Sequence, residues 1–452
     1  MSSSIDAKFG LHKKYKGLEK NVWVEFVAFV AEHKDVLNLG QGFPDFHPAE
    51  HVTAALAKIC SNSGDPLLHQ YTRSYVRIFI LSSFDLRLQL HKKMTTQGHK
   101  RLVDALAKMY GKLINREINP MTEVLVTVGA YGSLFATFMS MIGPGDEVIL
   151  IEPHYDCYRP IVLLAGGKPV HISLKPTKPN DTTSGAWTLD MKELEALFNQ
   201  NTKIIVVNTP NNPLGKVYNR KELTEIGDLC KKHNVVCIAD EVYEMNVFPE
   251  YEHVRMASLP GMWERTITVG SSGKAFSLTG WKTGWSYGPA NLMKNLFVAH
   301  QSCVYTCNTP CQEALAIAVE KEIPLLGTKD SFFYQLGADL KMRCDIFAKS
   351  VVRAGFVPIM PEAGAFLCAN WKPLESKVDL SSEKDEYLDY RFAKWYAKKW
   401  KVLGIPPSAF YSEPHKRECE YLIRFCFYKK EETLARADDL LTKWADANNI
   451  AP

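Results

Sequence analysis

The sequence lacks the features that mark several large classes of protein. No apolar run approaches the roughly 20 residues that cross a bilayer, so a membrane protein is not expected. Lys and Arg number 54 against 50 Asp and Glu, and this near balance argues against a nucleic-acid-binding protein. The 11 cysteines are odd in number and irregularly spaced, which is typical of reduced intracellular thiols and not of a disulfide framework. What remains is an ordinary globular chain of 452 residues, long enough to bury a water-poor site.

The short motifs of several enzyme classes are also missing. The chain contains no HExxH, no GxSxG and no complete P-loop. The nearest match to the GxGxxG fingerprint of nicotinamide dehydrogenases begins at Gly40, but it lacks the third glycine. Cys303, Cys307 and Cys311 recur every four residues without a CxxC pair or a matching His, so we predict no metal site.

The N-terminal segment bears on where the protein resides. Residues 1–25 are of mixed charge and lack an apolar signal core, which argues against secretion and predicts a cytoplasmic protein. The serines at positions 2–4 and the early lysines suit a mitochondrial presequence, whereas Asp6 and the lack of Arg argue against one. The mitochondrial alternative therefore stays open.

From residue 120 onward, short β-rich runs alternate with helical patterns. The predicted strands are 123–128, 146–151, 203–208, 235–240 and 265–270. The helical patterns between them cover 131–141, 190–199 and 220–234. Near-continuous apolar strands separated by helices predict a mostly parallel sheet covered on both faces. Since such sheets bind ligands at the carboxyl ends of their strands, the site is expected there.

The C-terminal third has shorter strands and longer helices, which predicts a smaller α/β domain. We therefore expect an α/β fold with a large helix-covered sheet domain and a second, smaller domain. The expected boundaries are an N-terminal arm and part of the small domain at 1–45, the large domain at 46–325, and the small domain at 326–452.

Three of the strand ends carry residues whose side chains can take part in catalysis or ligand binding. Asp240 ends one strand and is followed by Tyr243, Asn212 lies in an Asn/Pro/Gly turn, and Lys274 lies in a small-residue turn. Each alone has an ordinary interpretation as a helix cap with a packed aromatic, a simple turn, or a surface lysine. Together, in this order, they supply what pyridoxal phosphate needs.

Each group has a definite task toward such a cofactor. Lys274 would form a Schiff base with its aldehyde, and Asp240 would pair with its ring nitrogen. Asn212 and Tyr243 would hydrogen-bond the ring hydroxyl. The run Gly129–Gly132, at a strand-to-helix junction, would hold the phosphate with backbone N–H groups. Two further side chains would complete the phosphate site, namely Ser271 and Lys282.

On these motifs the sequence resembles the fold type I, class I pyridoxal-phosphate aminotransferases over nearly its whole length, from about residue 22 to 444. Within them it is most similar to the kynurenine aminotransferase, glutamine transaminase K and cysteine-S-conjugate β-lyase group. The segments that carry the resemblance are NLGQGFPDF (38–46), VTVGAYGSLF (126–135), YDCY (155–158), NPLGKVY (212–218), DEVYE (240–244), PGMWERT (260–266), SSGKAFSLTGWKTGW (271–285) and LIRFCF (422–427).

The resemblance assigns further roles on the cofactor side. It implies that Lys274 carries the cofactor, that Tyr155 stacks on its ring, and that Ala130 and Tyr131 meet its phosphate. Tyr71 is expected to reach the cofactor or substrate of a partner subunit, so the resemblance implies a homodimer.

On the substrate side, the resemblance implies that Arg424 grips the α-carboxylate with its planar fork. Without the resemblance, an Arg on an apolar strand would be interpreted as half of a structural ion pair. Trp23 and Gly42 would flank the substrate, and Tyr305 would enter from the partner. The expected substrates are small molecules, namely amino acids and 2-oxo acids.

The implied activity is transfer of an amino group from kynurenine, glutamine or another aromatic or neutral amino acid to a 2-oxo acid. The resemblance also implies β-elimination from cysteine S-conjugates as a side activity. An inactive or impaired regulatory homologue is the alternative, because one segment departs from the family.

That segment lies within residues 74–97, which show no clean helical or strand period. In the resembled family the QYTR run (70–73) passes almost directly into a segment like GHKRL (98–102). We therefore predict that 76–97 is an insertion. Because Val codons begin with GT and a Gln codon can be CAG, we hypothesise that it is a translated intron.

Overall fold

The computed structural model describes residues 10–12, 15–18, 21–61, 65–72, 74–80, 89–95, 97–179 and 181–450. Most of the early serines and lysines that bear on a presequence, and residues 81–88 and 96 of the predicted insertion, lie outside these ranges. No helix within them is long and apolar enough to cross a membrane.

A seven-stranded sheet forms the centre of the molecule. Its strand order is β4-β12-β11-β10-β9-β5-β6, and only β12 runs antiparallel to its neighbours. The strands are β4 (Val124–Val128), β5 (Glu147–Glu152), β6 (Lys168–Ser173), β9 (Thr202–Asn208), β10 (Val236–Asp240), β11 (Thr266–Ser271) and β12 (Thr283–Tyr287). The predicted mostly parallel sheet is thereby confirmed.

Helices cover this sheet and continue into the C-terminal part. Their bounds are Val22–Glu32, Glu50–Cys60, Lys100–Leu113, Gly129–Met141, Tyr158–Leu164, Met191–Leu197, Arg220–His233, Ser272–Ala275, Ala290–Cys303, Thr309–Glu322, Phe332–Arg353, Leu388–Trp400 and Glu431–Ala447. The helix Arg220–His233 illustrates the local causes, because Asn219 and Glu222 form a capping box at its start. It ends at Asn234, whose φ of 53° is left-handed and cannot continue the helix.

Several smaller sheets accompany the central sheet. A three-stranded antiparallel sheet has the order β13-β14-β16, with strands β13 (Val357–Ile359), β14 (Phe366–Asn370) and β16 (Leu422–Cys426). The short strand β1 (Leu37–Asn38) pairs in parallel with β15 (Val402–Leu403), and β7 (Lys175–Pro176) pairs with β8 (Trp187–Thr188). Through this β1–β15 pairing the N-terminal arm contacts the C-terminal region, and the predicted domain division stays a prediction.

The predicted insertion forms a two-stranded antiparallel ribbon of β2 (Ser74–Ile80) and β3 (Gln89–Thr95). Its register places Ser74 opposite Thr95, and the ribbon joins no other sheet in the described part of the chain. Residues on either side of it are anchored. The Thr72 hydroxyl bonds the Thr309 hydroxyl at 2.6 Å, and the Gln97 carbonyl accepts from the Val126 N–H at 2.7 Å.

Candidate active site

A cavity of about 370 Å³ lies at the carboxyl ends of β4, β5, β9, β10 and β11, where the parallel sheet predicts it. Residues of the small three-stranded sheet, Phe366 and Arg424, close another side. Of the predicted site residues, Tyr71 and Tyr305 do not line the cavity. The predicted residues that do line it are Trp23, Gly42, Ala130, Tyr131, Tyr155, Asn212, Asp240, Tyr243, Ser271, Lys274, Lys282 and Arg424.

Lys274 presents its amine to this cavity from the short helix that follows β11. Its Nζ donates to the Gly42 carbonyl at 3.4 Å and lies 5.2 Å from the centroid of the Tyr243 ring. No carboxylate pairs with this amine in the ranges that the structure describes. An amine without a counterion is available as a nucleophile or base once it loses its proton.

Asp240, at the end of β10, is a carboxylate in nearly dry surroundings. It is 3% exposed and accepts a hydrogen bond from the Tyr158 hydroxyl and one of 3.4 Å from the Val242 N–H. Burial raises the pKa of Asp240 to about 6, against the opposing effect of these hydrogen bonds. Among the described residues no Lys or Arg forms an ion pair with this carboxylate, and a cationic ring N–H placed against it would supply a partner charge.

One part of the cavity wall gathers positive charge. The 13-residue helix Gly129–Met141 begins directly after β4, and its first residues, Ala130 and Tyr131, line the wall. Gly129 has a φ of 67°, which glycine adopts readily, and a Cβ there would lie 3.4 Å from Lys282 Nζ. A helix N-terminus next to an ammonium group suits a phosphate.

Arg424 is a buried guanidinium without a buried counterion. It is 0% exposed, and it donates to Asn212 Oδ1 at 3.0 Å and to the Gly40 carbonyl at 2.8 Å. Its Nε has no hydrogen-bond partner, and no carboxylate forms an ion pair with it among the described residues. Burial lowers the pKa of Arg424. The interpretation as a structural ion pair is therefore wrong, and the fork is available to a ligand carboxylate.

Aromatic rings hold this guanidinium in place. Its Cζ lies 3.9 Å from the centroid of Phe366, 5.0 Å from Phe410 and 5.2 Å from Trp23. Gly42 is required for this packing, because a Cβ there would lie 2.3 Å from Phe366 Cζ. The Gly42 position is thus explained by close approach.

Trp23 is positioned by a half-buried carboxylate from another part of the chain. Its Nε1 donates to Asp156 Oδ1 at 3.0 Å, and Asn21 donates to Asp156 Oδ2 at 3.0 Å. Burial raises the pKa of Asp156. The contact fixes the N-terminal arm against the cavity.

Tyr71 and Tyr305 lie together, but away from the cavity of their own chain. Their ring centroids are 5.8 Å apart in an edge-to-face arrangement, and the residues are 68% and 41% exposed. The structure therefore brings these two predicted residues together without placing them at the site.

Sequence reasoning gave no role to several residues that shape the cavity. Tyr158 lies in the YDCY run but was given no role, although it donates to Asp240. Phe366, Phe410 and Asp156 reach the site only through tertiary packing. The signal that could have found Tyr158 is its spacing of three residues from Tyr155.

Comparisons with known proteins agree with this geometry. A family model for aminotransferase class I and II matches residues 34–439. The chain is 43% identical over 438 residues to kynurenine–oxoglutarate transaminase 1 of Rattus norvegicus, covering 96% of this chain and 98% of the relative. It is 45% identical over 447 residues to kynurenine–oxoglutarate transaminase 3 of Homo sapiens, covering 98% and 92%.

Solved structures are similar over almost the whole chain. The crystal structure of Bna3p from Saccharomyces cerevisiae matches with a TM-score of 0.85 at 30% identity, covering 97% of this chain and 99% of that one. The N-succinyldiaminopimelate aminotransferase of Mycobacterium tuberculosis matches with a TM-score of 0.81 at 31% identity, covering 96% and 100%. The expected fold type I architecture is confirmed.

Proposed function

The chain belongs to the class I and II aminotransferase family and is an aminotransferase, and we propose that kynurenine, glutamine or another aromatic or neutral amino acid is its donor. The acceptor is a 2-oxo acid, and β-elimination from cysteine S-conjugates is a side activity. The names of the most similar relatives support kynurenine as a donor and 2-oxoglutarate as an acceptor.

The cofactor we propose is pyridoxal phosphate. When bound, it withdraws electrons from the substrate α-carbon and carries the amino group between the two substrates. Lys274 would hold its aldehyde, and Asp240 would face its ring nitrogen. Asn212 and Tyr243 would meet its hydroxyl, and Tyr155 would stack on its ring. The phosphate would take the corner formed by the remaining groups, Ala130, Tyr131, Ser271 and Lys282.

The chain's own residues would orient the substrate and move its proton. Arg424 would grip the α-carboxylate, with Asn212 Oδ1 and the Gly40 carbonyl fixing the guanidinium plane. That grip sets which bond of the α-carbon faces Lys274. The unprotonated amine of Lys274 would remove the α-proton and return it at another atom.

The lining of the cavity supports a preference for neutral side chains. Trp23, Phe43, Tyr155 and Phe366 supply aromatic surface. Arg424 is the one arginine among the lining residues, so no second guanidinium stands ready for a side-chain carboxylate. Aspartate should therefore be a poorer donor than kynurenine or glutamine.

One observation carries the proposal: the uncompensated Arg424 shares a cavity with the unpaired Lys274 amine. The test is a donor panel of kynurenine, glutamine, phenylalanine, aspartate and a cysteine S-conjugate, run on pure protein with added cofactor. Kynurenine and glutamine should turn over, and aspartate should not.

Borohydride trapping with peptide mapping should label residue 274. Lys274→Ala should lose both label and turnover, while Lys294→Ala, at an exposed position, should keep both. Absence of label in the unaltered protein would overturn the cofactor assignment. No observation favours the inactive alternative.

A further inference from the structure

Three histidines converge on one buried carboxylate outside the active-site cavity. Glu152, the last residue of β5, is 0% exposed. His171 Nδ1, from the neighbouring strand β6, lies 3.0 Å from Glu152 Oε1. His415 Nδ1 lies 2.5 Å from Glu152 Oε2, and His154 Nε2 lies 4.0 Å from Oε1. We call these four residues the Glu152 cluster.

His154 directs a bare nitrogen into this cluster. The residue is 4% exposed, and its Nδ1 lies 2.9 Å from the Tyr155 carbonyl oxygen. Because a carbonyl only accepts, Nδ1 must carry the proton and donate it. In the neutral ring, Nε2 then has a free lone pair. That Nε2 is fully enclosed and has no hydrogen-bond partner.

His171 adds a second nitrogen that the hydrogen bonds do not account for. Its Nδ1 is 3.0 Å from Glu152 Oε1, yet the angle is not that of a hydrogen bond, and the buried nitrogen is left without a partner. The ligand atoms of Glu152, His154 and His171 all lie within 4.8 Å of one another. Ligands about 2.1 Å from a tetrahedral ion are about 3.4 Å apart, so modest side-chain rotations suffice.

We propose that the Glu152 cluster binds one divalent transition-metal ion, for which Zn²⁺ is the probe, through Glu152, His154 and His171, with His415 as the fourth ligand. Imidazole nitrogens favour zinc and its neighbours over magnesium or calcium, which prefer oxygen. The side chains of His171 and His415 are 13% and 26% exposed, which gives the ion a way in.

A second group of acidic and histidine side chains differs from the Glu152 cluster in how its carboxylates are neutralised. Glu241, Glu244 and His253 also lie close together. There, Arg255 Nη2 lies 2.6 Å from Glu244, so a permanently charged guanidinium already neutralises one of the carboxylates. No Lys or Arg pairs with Glu152 in the described ranges.

The sequence predicted no metal site because that prediction rested on the cysteines. The cluster's residues are separated by up to 263 positions, and only the fold brings them together. An ion held there would join β5 and β6 to the segment before β16, because the Ser412 N–H also donates to Glu152. It would thereby fix the segment that leads to Arg424.

The test is Zn²⁺ titration of the chelator-treated full-length holoenzyme in competition with a chromophoric chelator. One tight ion per chain is expected. His154→Phe and His171→Gln should each weaken binding at least about 100-fold, the upper end of what loss of an outer-shell partner costs. His47→Gln, at an exposed position outside the cluster, is the matched control and should bind as the unaltered chain does.

Co²⁺ in place of Zn²⁺ provides an independent readout. Histidine and carboxylate ligands should give visible d–d bands without the charge-transfer band of a thiolate. Circular dichroism checks that the variants fold, and His171→Gln, at a partly exposed position, keeps the test valid if His154→Phe does not fold. The proposal is overturned if both variants bind as the unaltered chain does, or if Cys60→Ser or Cys303→Ser abolishes binding instead.

Discussion

At the scale of single residues, the cavity contains two buried groups of opposite charge that form no ion pair with another described residue. A buried charge without a partner is costly, and folded proteins normally pair it or neutralise it. The Arg424 guanidinium donates only to neutral acceptors among the described residues, and the Asp240 carboxylate accepts from a tyrosine hydroxyl. A ligand pair that brings a carboxylate to one and a cationic ring nitrogen to the other would satisfy both. Lys274 lines the same cavity.

The raised pKa of Asp240 predicts a pH dependence of stability. In the cofactor-free protein its pKa is about 6, against an ordinary value of 3.8, so the folded state binds its proton more tightly than the unfolded state. The contribution of Asp240 to the free energy of unfolding is therefore fully present below about pH 4 and is lost as pH rises through 6. The loss amounts to about 3 kcal/mol.

Urea unfolding of cofactor-free protein from pH 4 to 7 measures this effect. Asp240→Asn should remove that part of the slope, whereas Asp345→Asn, at a surface ion pair, should not. Adding cofactor to the unaltered protein should also reduce the slope, since a cationic ring nitrogen lowers the pKa of Asp240. An identical slope in Asp240→Asn would show that another group, such as the buried Asp389, causes the dependence.

At the scale of elements, the sequence predicted the buried strands whose residues are themselves apolar. β9 and β10 are almost continuously apolar, so their bounds follow from composition to within a residue. β12 was not predicted, because its residues, TGWSY, suit their tertiary contacts and do not form a local strand pattern. A Cβ on Gly284 would lie 2.4 Å from the Ala130 nitrogen, and Trp285 donates to the Tyr110 hydroxyl at 2.8 Å.

The site residues also divide into those that the sequence predicts and those that it does not. Residues at strand ends, such as Asp240 and Lys274, could be found from the sequence because a parallel sheet brings strand ends together. Phe366 and Asp156 could not, because their roles arise from contacts between distant segments. No local pattern marks a side chain that acts only through packing.

The ribbon β2–β3 supports a prediction about deletion. Its strands pair only with each other in the described part of the chain, and Ser74 lies opposite Thr95. Deleting residues 76–97 should therefore close a short gap at little cost in free energy of unfolding. We expect the deleted protein to keep or exceed the transamination rate of the full chain.

Gln97 provides the control for that deletion. Its carbonyl accepts from Val126, and its Nε2 donates to the Met121 carbonyl at 3.1 Å. A deletion of 76–96 keeps these bonds and separates their loss from loss of the ribbon. If both deleted proteins are misfolded or inactive, the segment is an integral part of this protein and not an insertion.

At the scale of the whole molecule, two exposed tyrosines predict how copies of the chain combine. Tyr71 and Tyr305 form an aromatic pair on the surface and contribute nothing to the cavity of their own chain. An exposed aromatic pair of this kind is typical of an interface. We therefore expect a homodimer in which each chain completes the site of the other.

Subunit mixing tests this arrangement through activity. Lys274→Ala and Tyr71→Ala should each be strongly impaired alone. If Tyr71 acts on the partner's site, a mixed dimer has one site with both residues intact, so an equal mixture should recover about one quarter of the unaltered rate. If Tyr71 acts within its own chain, no site in the mixed dimer is intact. The mixture would then show no more than the average of its two parents, and the shared site would be excluded.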